Sequence, residues 1–134
     1  MWTIALTSNT KTRVKPAVSI VDDDPAVRDS VKMLLESYGW ETRTFASAED
    51  FLDGHQPGQT GCIVLDMHMP GMNGVELQEQ LKRMHSPIPI IVVTAYREDL
   101  MIKRAMQAGA CAVLLKPFKE EDLLDNIKKA LSGA

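Results

Sequence analysis

Four of the five strand-like runs in this chain stop on a residue that carries chemistry, and helical stripes separate the runs along the whole sequence. Residues 17–21 are apolar without helical period and end abruptly in Asp22, Asp23 and Asp24, which reads as a buried strand. Residues 41–45 read as a second strand, residues 62–65 as a third ending at Asp66, residues 88–93 as a fourth with Thr94 at its end, and residues 112–115 as a fifth ending in Lys116 and Pro117. Pro89 is confined to the start of the fourth run, where a missing N–H is tolerated. Continuously apolar strands belong in a parallel sheet covered on both faces. Right-handed crossovers then give a doubly wound α/β fold, a five-stranded parallel sheet with helices on both faces.

The helices announce their ends. Asp24 followed by Pro25 is a carboxylate N-cap with proline at the first helical position, Val27, Val31, Leu34 or Leu35, and Tyr38 form the inner stripe, and Gly39 is the stop. Ser47-Ala48-Glu49-Asp50 has the form of a capping box and opens a short helix carrying Phe51 and Leu52. The segment 67–74, with Pro70, Gly71 and Gly74, is a turn. It leads into a helix over 75–84 with Leu77, Leu81 and Met84 facing inward. Helices over 97–108 and 120–131 follow, the last with acids in its first turn and Lys128 and Lys129 in its last, which complements the helix dipole.

A length of 134 residues suits one domain, with residues 16–134 folded and residues 1–15 a flexible tail without an element of its own. The net charge of −3 hides an asymmetry: Lys11, Arg13 and Lys15 lie in the tail, leaving 12 bases against 18 acids, or −6, from residue 17 onward. Such a domain repels a phosphate backbone and is not expected to bind nucleic acid itself. No apolar run approaches the roughly 18 residues of a membrane span, and polar residues interrupt the N-terminus too early for a secretion signal, so a cytoplasmic location is expected. Cys62 and Cys111 lie in apolar stretches without a CxxC and are expected to be buried free thiols. His55 and His85 are expected to be solvated, and Met33, Met84, Met101 and Met106 to fill core or grooves.

Ligands of open parallel sheets bind beyond the carboxyl ends of the strands. Asp22, Asp23, Asp66, Thr94 and Lys116 occupy those ends and are expected to converge on one small pocket. Crowded carboxylates repel one another unless a cation neutralises them. Magnesium suits the set, being hard, oxygen-seeking and commonly held by one or two carboxylates beside a phosphate. Lys116 offers a point charge and Thr94 a hydroxyl donor to such a phosphate, and a carboxylate can itself act as a nucleophile that becomes an aspartyl phosphate.

Val21-Asp22-Asp23-Asp24, the stretch 64–74 (VLDMHMPGMNG), Val92-Val93-Thr94-Ala95 and Leu115-Lys116-Pro117-Phe118, in this order and at these strand ends, resemble the receiver domain of bacterial two-component response regulators. The resemblance covers about residues 17–131. It implies a flavodoxin-like sheet with strand order 2-1-3-4-5, and Asp66 as the acceptor of a phosphoryl group from a sensor histidine kinase. It further implies that Asp23, Asp66 and the main-chain carbonyl of His68 ligate Mg2+ directly while Asp22 holds a metal-bound water. Lys116, Thr94 and the backbone N–H groups of Met67 and Ala95 would grip phosphate oxygens, and the Lys116–Pro117 bond would be cis. His68 would line the pocket and tune the access of water. Met67, Met69 and Met72 border this loop and would contact a kinase.

In the family, Thr94 would turn toward the phosphate and the face of the fourth helix, fifth strand and fifth helix would repack, promoting a homodimer. An aromatic residue often moves with it from the position held here by Val113, a departure for which Tyr96 is the nearest substitute. The implied function is a phosphorylation-controlled receiver, not an enzyme beyond its own phosphoryl uptake and loss. Residues 21–28 and 45–49 look most like receivers that precede a LuxR-type helix-turn-helix domain, so control of transcription is the implied output and a free-standing receiver the alternative. A phosphatase of the haloacid-dehalogenase type would need a general acid two residues after the nucleophile, where His68 stands, and a cap domain. A nucleotide or flavin carrier would need a Gly- or Ser/Thr-rich loop after the first strand, where the chain has acids.

Overall fold

The computed structural model describes residues 16–56, 58–95 and 97–132, so the expectations for residues 1–15 and for Tyr96 lie outside the described residues. Five parallel strands, β1 (Ala17–Val21), β2 (Thr42–Phe45), β3 (Thr60–Asp66), β4 (Ile90–Thr94) and β5 (Ala112–Leu115), lie in the order β2-β1-β3-β4-β5. Helices α1 (Pro25–Ser37), α2 (Ala48–Gly54), α3 (Gly74–Arg83), α4 (Asp99–Gln107) and α5 (Glu120–Leu131) connect and follow them. Val31 and Leu35 of α1 and Leu123 and Ile127 of α5 cover one face of the sheet over Val18, Ile20, Val64 and Ile91. Phe51 of α2, Leu77 and Leu81 of α3 and Ala105 of α4 cover the other over Ile63, Leu65 and Val92. Both faces are thus buried, which is why β1, β3 and β4 are largely apolar, with Ser19 and Thr60 hydrogen-bonded to each other inside the sheet at 2.7 Å. No helix among the described residues is long and apolar enough to cross a membrane.

The caps fall largely where the sequence places them. Asp24 accepts from Ala26 N at 2.9 Å above Pro25, and Ser47 Oγ accepts from Asp50 N at 2.9 Å. The reciprocal capping box forms elsewhere: Asn73 Oδ1 accepts from Glu76 N, and Glu76 Oε1 from Asn73 N, both at 2.9 Å. Two inner-stripe expectations fail at helix ends. Tyr38 is 56% exposed and stacks on Trp40, and Met84 is 54% exposed, because each is the C-cap residue where the chain leaves the helical path. Met33 and Met106 also face solvent from α1 and α4, which corrects their reading as filler; Met101 does pack against the core. Cys62 is buried as expected, but Cys111 is exposed, since it precedes β5 rather than lying within it.

Helix α3 ends in a left-handed residue, His85 at φ 58°, with Ser86 N returning to Leu81 O at 2.9 Å. That position suits glycine, because an L side chain there crowds its own carbonyl. His85→Gly is expected to raise stability by about 0.5–1 kcal/mol, the relief being partly offset by glycine's larger unfolded-state entropy. A urea midpoint unchanged or lowered would contradict this. His55, expected in solvent, is half-buried, stacked on Phe51 at 4.8 Å between ring centroids and 3.4 Å from Thr60 Oγ1 through Nδ1.

Candidate functional site

Strand register brings the site together. Val21 pairs with Leu65, so Asp22 and Asp66 emerge side by side one residue further on. Asp66 pairs with Val93 and Thr94 with Leu115, which sets Thr94 beyond Asp66 on one side and beside Lys116 on the other. The Lys116 N–H donates to Thr94 O at 2.8 Å and the Lys116–Pro117 bond is cis, as the resemblance implied.

Lys116 Nζ bridges two carboxylates, donating to Asp22 Oδ2 at 3.1 Å and to Asp66 Oδ1 at 3.3 Å. Asp22 and Asp66 are buried, at 2% and 6% exposure, Thr94 is buried, and Asp23 is exposed at the mouth. The other oxygen of Asp22 accepts from Asp24 N at 2.9 Å. Burial first, and then the like charge of Asp22, push the Asp66 carboxyl up to about 6, against the pull of Lys116. For Lys116, burial works against the charged form, but the hydrogen bond to Asp22 and the charges of Asp66 and Asp22 outweigh it and raise the ammonium above its ordinary value.

Three carboxylates facing one ammonium leave the pocket with an excess of negative charge. One oxygen from each of Asp22, Asp23 and Asp66 lies within 4.8 Å of the others. Octahedral magnesium holds its oxygens about 3 Å apart in adjacent positions and about 4 Å apart in opposite ones, so a hard, oxygen-seeking divalent cation suits this cluster of carboxylates. His68 is half-buried, two residues beyond Asp66 in the loop that leads to α3.

Two expectations about this loop are corrected. Met67 N donates to Val93 O at 3.1 Å, because the β3–β4 ladder continues past Asp66, so that N–H is committed to the sheet and not presented to the pocket. Met67 and Met69 are buried in the core and cannot serve as contact residues; Met72 is half-buried. Val113 is half-buried in β5 and packs against the core, and Ala95 is exposed just past Thr94.

Sequence reasoning missed two supports. Arg28 reaches back from α1 and its Nη1 donates to Asp22 O at 2.7 Å, fixing the turn that carries the acids. Glu49 Oε2 in α2 accepts from Met72 N at 2.9 Å, and that bond, first among the causes, lowers the Glu49 pKa. It ties the loop after Asp66 to a neighbouring helix. Arg28 lies one helical turn beyond the N-cap, a visible signal; the Glu49 contact spans 23 residues and has none.

Over residues 18–128 the sequence fits the response regulator receiver domain. It is similar to the transcriptional regulatory protein TdiR of Thauera aromatica, 42% identical over 123 residues that cover 92% of this chain and 54% of TdiR. It is likewise similar to the transcriptional regulatory protein FixJ of Bradyrhizobium diazoefficiens, 38% identical over 120 residues, 90% of this chain and 58% of FixJ. The chain thus spans about half the length of these curated relatives. Among solved structures, the response regulator StyR superposes with a TM-score of 0.83 at 50% identity, covering 89% of this chain and 60% of that one. The crystal structure of FixJ-N gives 0.83 at 35% identity, covering 90% and 96%. The chemotaxis protein CheY4 of Vibrio cholerae gives 0.80 at 28% identity, covering 88% and 100%.

Proposed function

The chain belongs to the response regulator receiver domain family, a family of signalling domains, and from that premise we propose that Asp66 accepts a phosphoryl group from a sensor histidine kinase. Residues 16–134 are the receiver unit in this reading. A carboxylate oxygen of Asp66 takes the phosphorus as the P–N bond of a phosphohistidine breaks, and the imidazole leaves with a proton. The observation that carries the reading is the bridging of Asp22 and Asp66 by Lys116, with Thr94 on the adjoining strand. Such transfer needs mainly positioning and charge neutralisation. Lys116 moves with little displacement from Asp66 Oδ1 to a phosphoryl oxygen on the same side, and the Thr94 hydroxyl donates to another. Mg2+, when bound, supplies the remaining positive charge; Asp23, Asp66 and the His68 carbonyl would hold it, with Asp22 acting through water.

No further catalysis is assigned to the domain beyond its own gain and loss of the phosphoryl group. We place it in the cytoplasm, where kinases have ATP. Phosphorylation favours a homodimer through α4 and β5, a reading supported by Leu100, 67% exposed on α4. The similarity to the transcriptional regulatory proteins TdiR and FixJ supports control of a DNA-binding output domain, with protein–protein signalling by a free-standing receiver as the alternative.

Acetyl phosphate tests this directly. Intact mass spectrometry is expected to show a single phosphoryl adduct that forms with magnesium and not in chelator, and light scattering of that sample a mass rising toward a dimer. Equal uptake without a divalent cation would overturn the metal's role, and an unchanged monomer the dimer.

A further inference from the structure

We infer that a cleft at the end of the sheet opposite Asp66 is a redox modification site, at which Cys111 takes up an acidic peptide thiol of the glutathione class as a mixed disulfide. The cleft has a volume of about 540 Å³ and lies among α3, the end of α4 and α5, where β4 and β5 begin. That volume falls within the range of about 300–1,000 Å³ usual for small-ligand sites. It shares no lining residue with the acid cluster, so the inference stands apart from the phosphoryl reading.

Three features of the wall match one ligand. Gln78 is 1% exposed; its Nε2 donates to Ala105 O at 3.0 Å while its buried Oε1 receives no hydrogen bond from any described residue. A buried acceptor left unmatched is costly, and a peptide N–H is the donor that satisfies it. Lys82 and Lys129 are exposed and line the same cleft, where they suit the two carboxylates of such a peptide. Cys111 is exposed in this wall and held at the mouth of β5 by its N–H bond to Ile90 O at 2.8 Å.

The oxidant is the peptide's own symmetrical disulfide. Cys111 loses its proton to solvent and its thiolate attacks one sulfur; the new S–S bond forms as the old one breaks, and the second peptide leaves as a thiolate. Cys62 serves as an internal control, since burial, and after it the nearby Cys111, push its thiol up to about 12.

The test follows adduct formation by intact mass and peptide mapping, with oxidised glutathione and with the uncharged hydroxyethyl disulfide. Wild type and Cys62→Ser are expected to gain one glutathione on Cys111, and Cys111→Ser none. In the Lys82→Ala/Lys129→Ala variant, the ratio of the glutathione rate to the hydroxyethyl rate is expected to fall about fivefold, the size of two partly screened charge contacts. Reaction at Cys62, no adduct on the folded protein, or a ratio unchanged in the double variant would each overturn the proposal.

Discussion

Asp66→Asn is expected to lose the phosphoryl adduct entirely and yet, in metal-free buffer, to be the more stable protein by as much as about 3 kcal/mol near pH 7. The lost adduct follows from the lost nucleophile, because an amide oxygen does not attack phosphorus as a carboxylate does. The gain follows from the raised pKa. Folding lifts the carboxyl from its ordinary 3.8 to about 6, through burial and the neighbouring Asp22 charge. Between those values the folded state holds the proton more tightly than the unfolded state, so stability falls as pH rises through this window. Below it the penalty vanishes, and above it the penalty is fully present. Asparagine carries no charge to desolvate, and Lys116 keeps Asp22 as a partner at 3.1 Å. The stability difference between the two proteins should therefore grow from near zero at about pH 3.5 to its plateau above about pH 6, measured by urea unfolding in chelator. A difference constant across that range would refute the account. Saturating magnesium should narrow the gap or reverse it, since a ligand bound only by the folded wild type stabilises that protein alone.

Gly74→Ala is the second large effect, and it runs against ordinary propensity. Glycine to alanine in a helix commonly stabilises by about 0.5–1 kcal/mol. Here a Cβ at Gly74 would lie 2.7 Å from Asp66 O and 2.9 Å from Met67 Cα. Both are backbone atoms at the end of β3, and the Gly74 N–H already bonds to Met67 O at 2.9 Å. Neither side can move without shifting the strand end that carries Asp66. A loss of about 2–3 kcal/mol is expected, with a drop of at least about tenfold in the phosphorylation rate, since a shift near 1 Å at reacting groups costs that much or more. Denaturant unfolding and adduct kinetics on the same protein read both, and wild-type stability in this variant would show that the loop yields freely.

Much of this was legible along the chain because the physics is local. The apolar runs of β1, β3 and β4 need no partner to be recognised, and Asp24 and Ser47 cap helices through N–H groups only two or three residues away. The five residues at the strand ends could be gathered from the rule for parallel sheets, and the register does set Asp22, Asp66, Thr94 and Lys116 side by side. The misreadings sit where long-range packing decides. Tyr38 and Met84 continue an apolar stripe on paper but fall on the residues where the helices stop. Met67 and Met69 stand in a loop by sequence, yet the loop folds back over the core and buries them.

Sequence alone determined the alternation of strand and helix, the identity of the acids, hydroxyl and lysine at the strand ends, and the family they mark, because each depends on residue type and spacing. Only the tertiary structure decided how those groups act on one another. Lys116 lies 94 residues from Asp22 and 50 from Asp66, and its bridge exists only because three strands in the order β1-β3-β4 are followed by β5 at matching register. The raised carboxyl of Asp66, the backbone pressed against Gly74 and the unmatched oxygen of Gln78 belong to the same category. Desolvation, close contact and unmet hydrogen bonds are properties of the packed interior, and the chain acquires them only on folding.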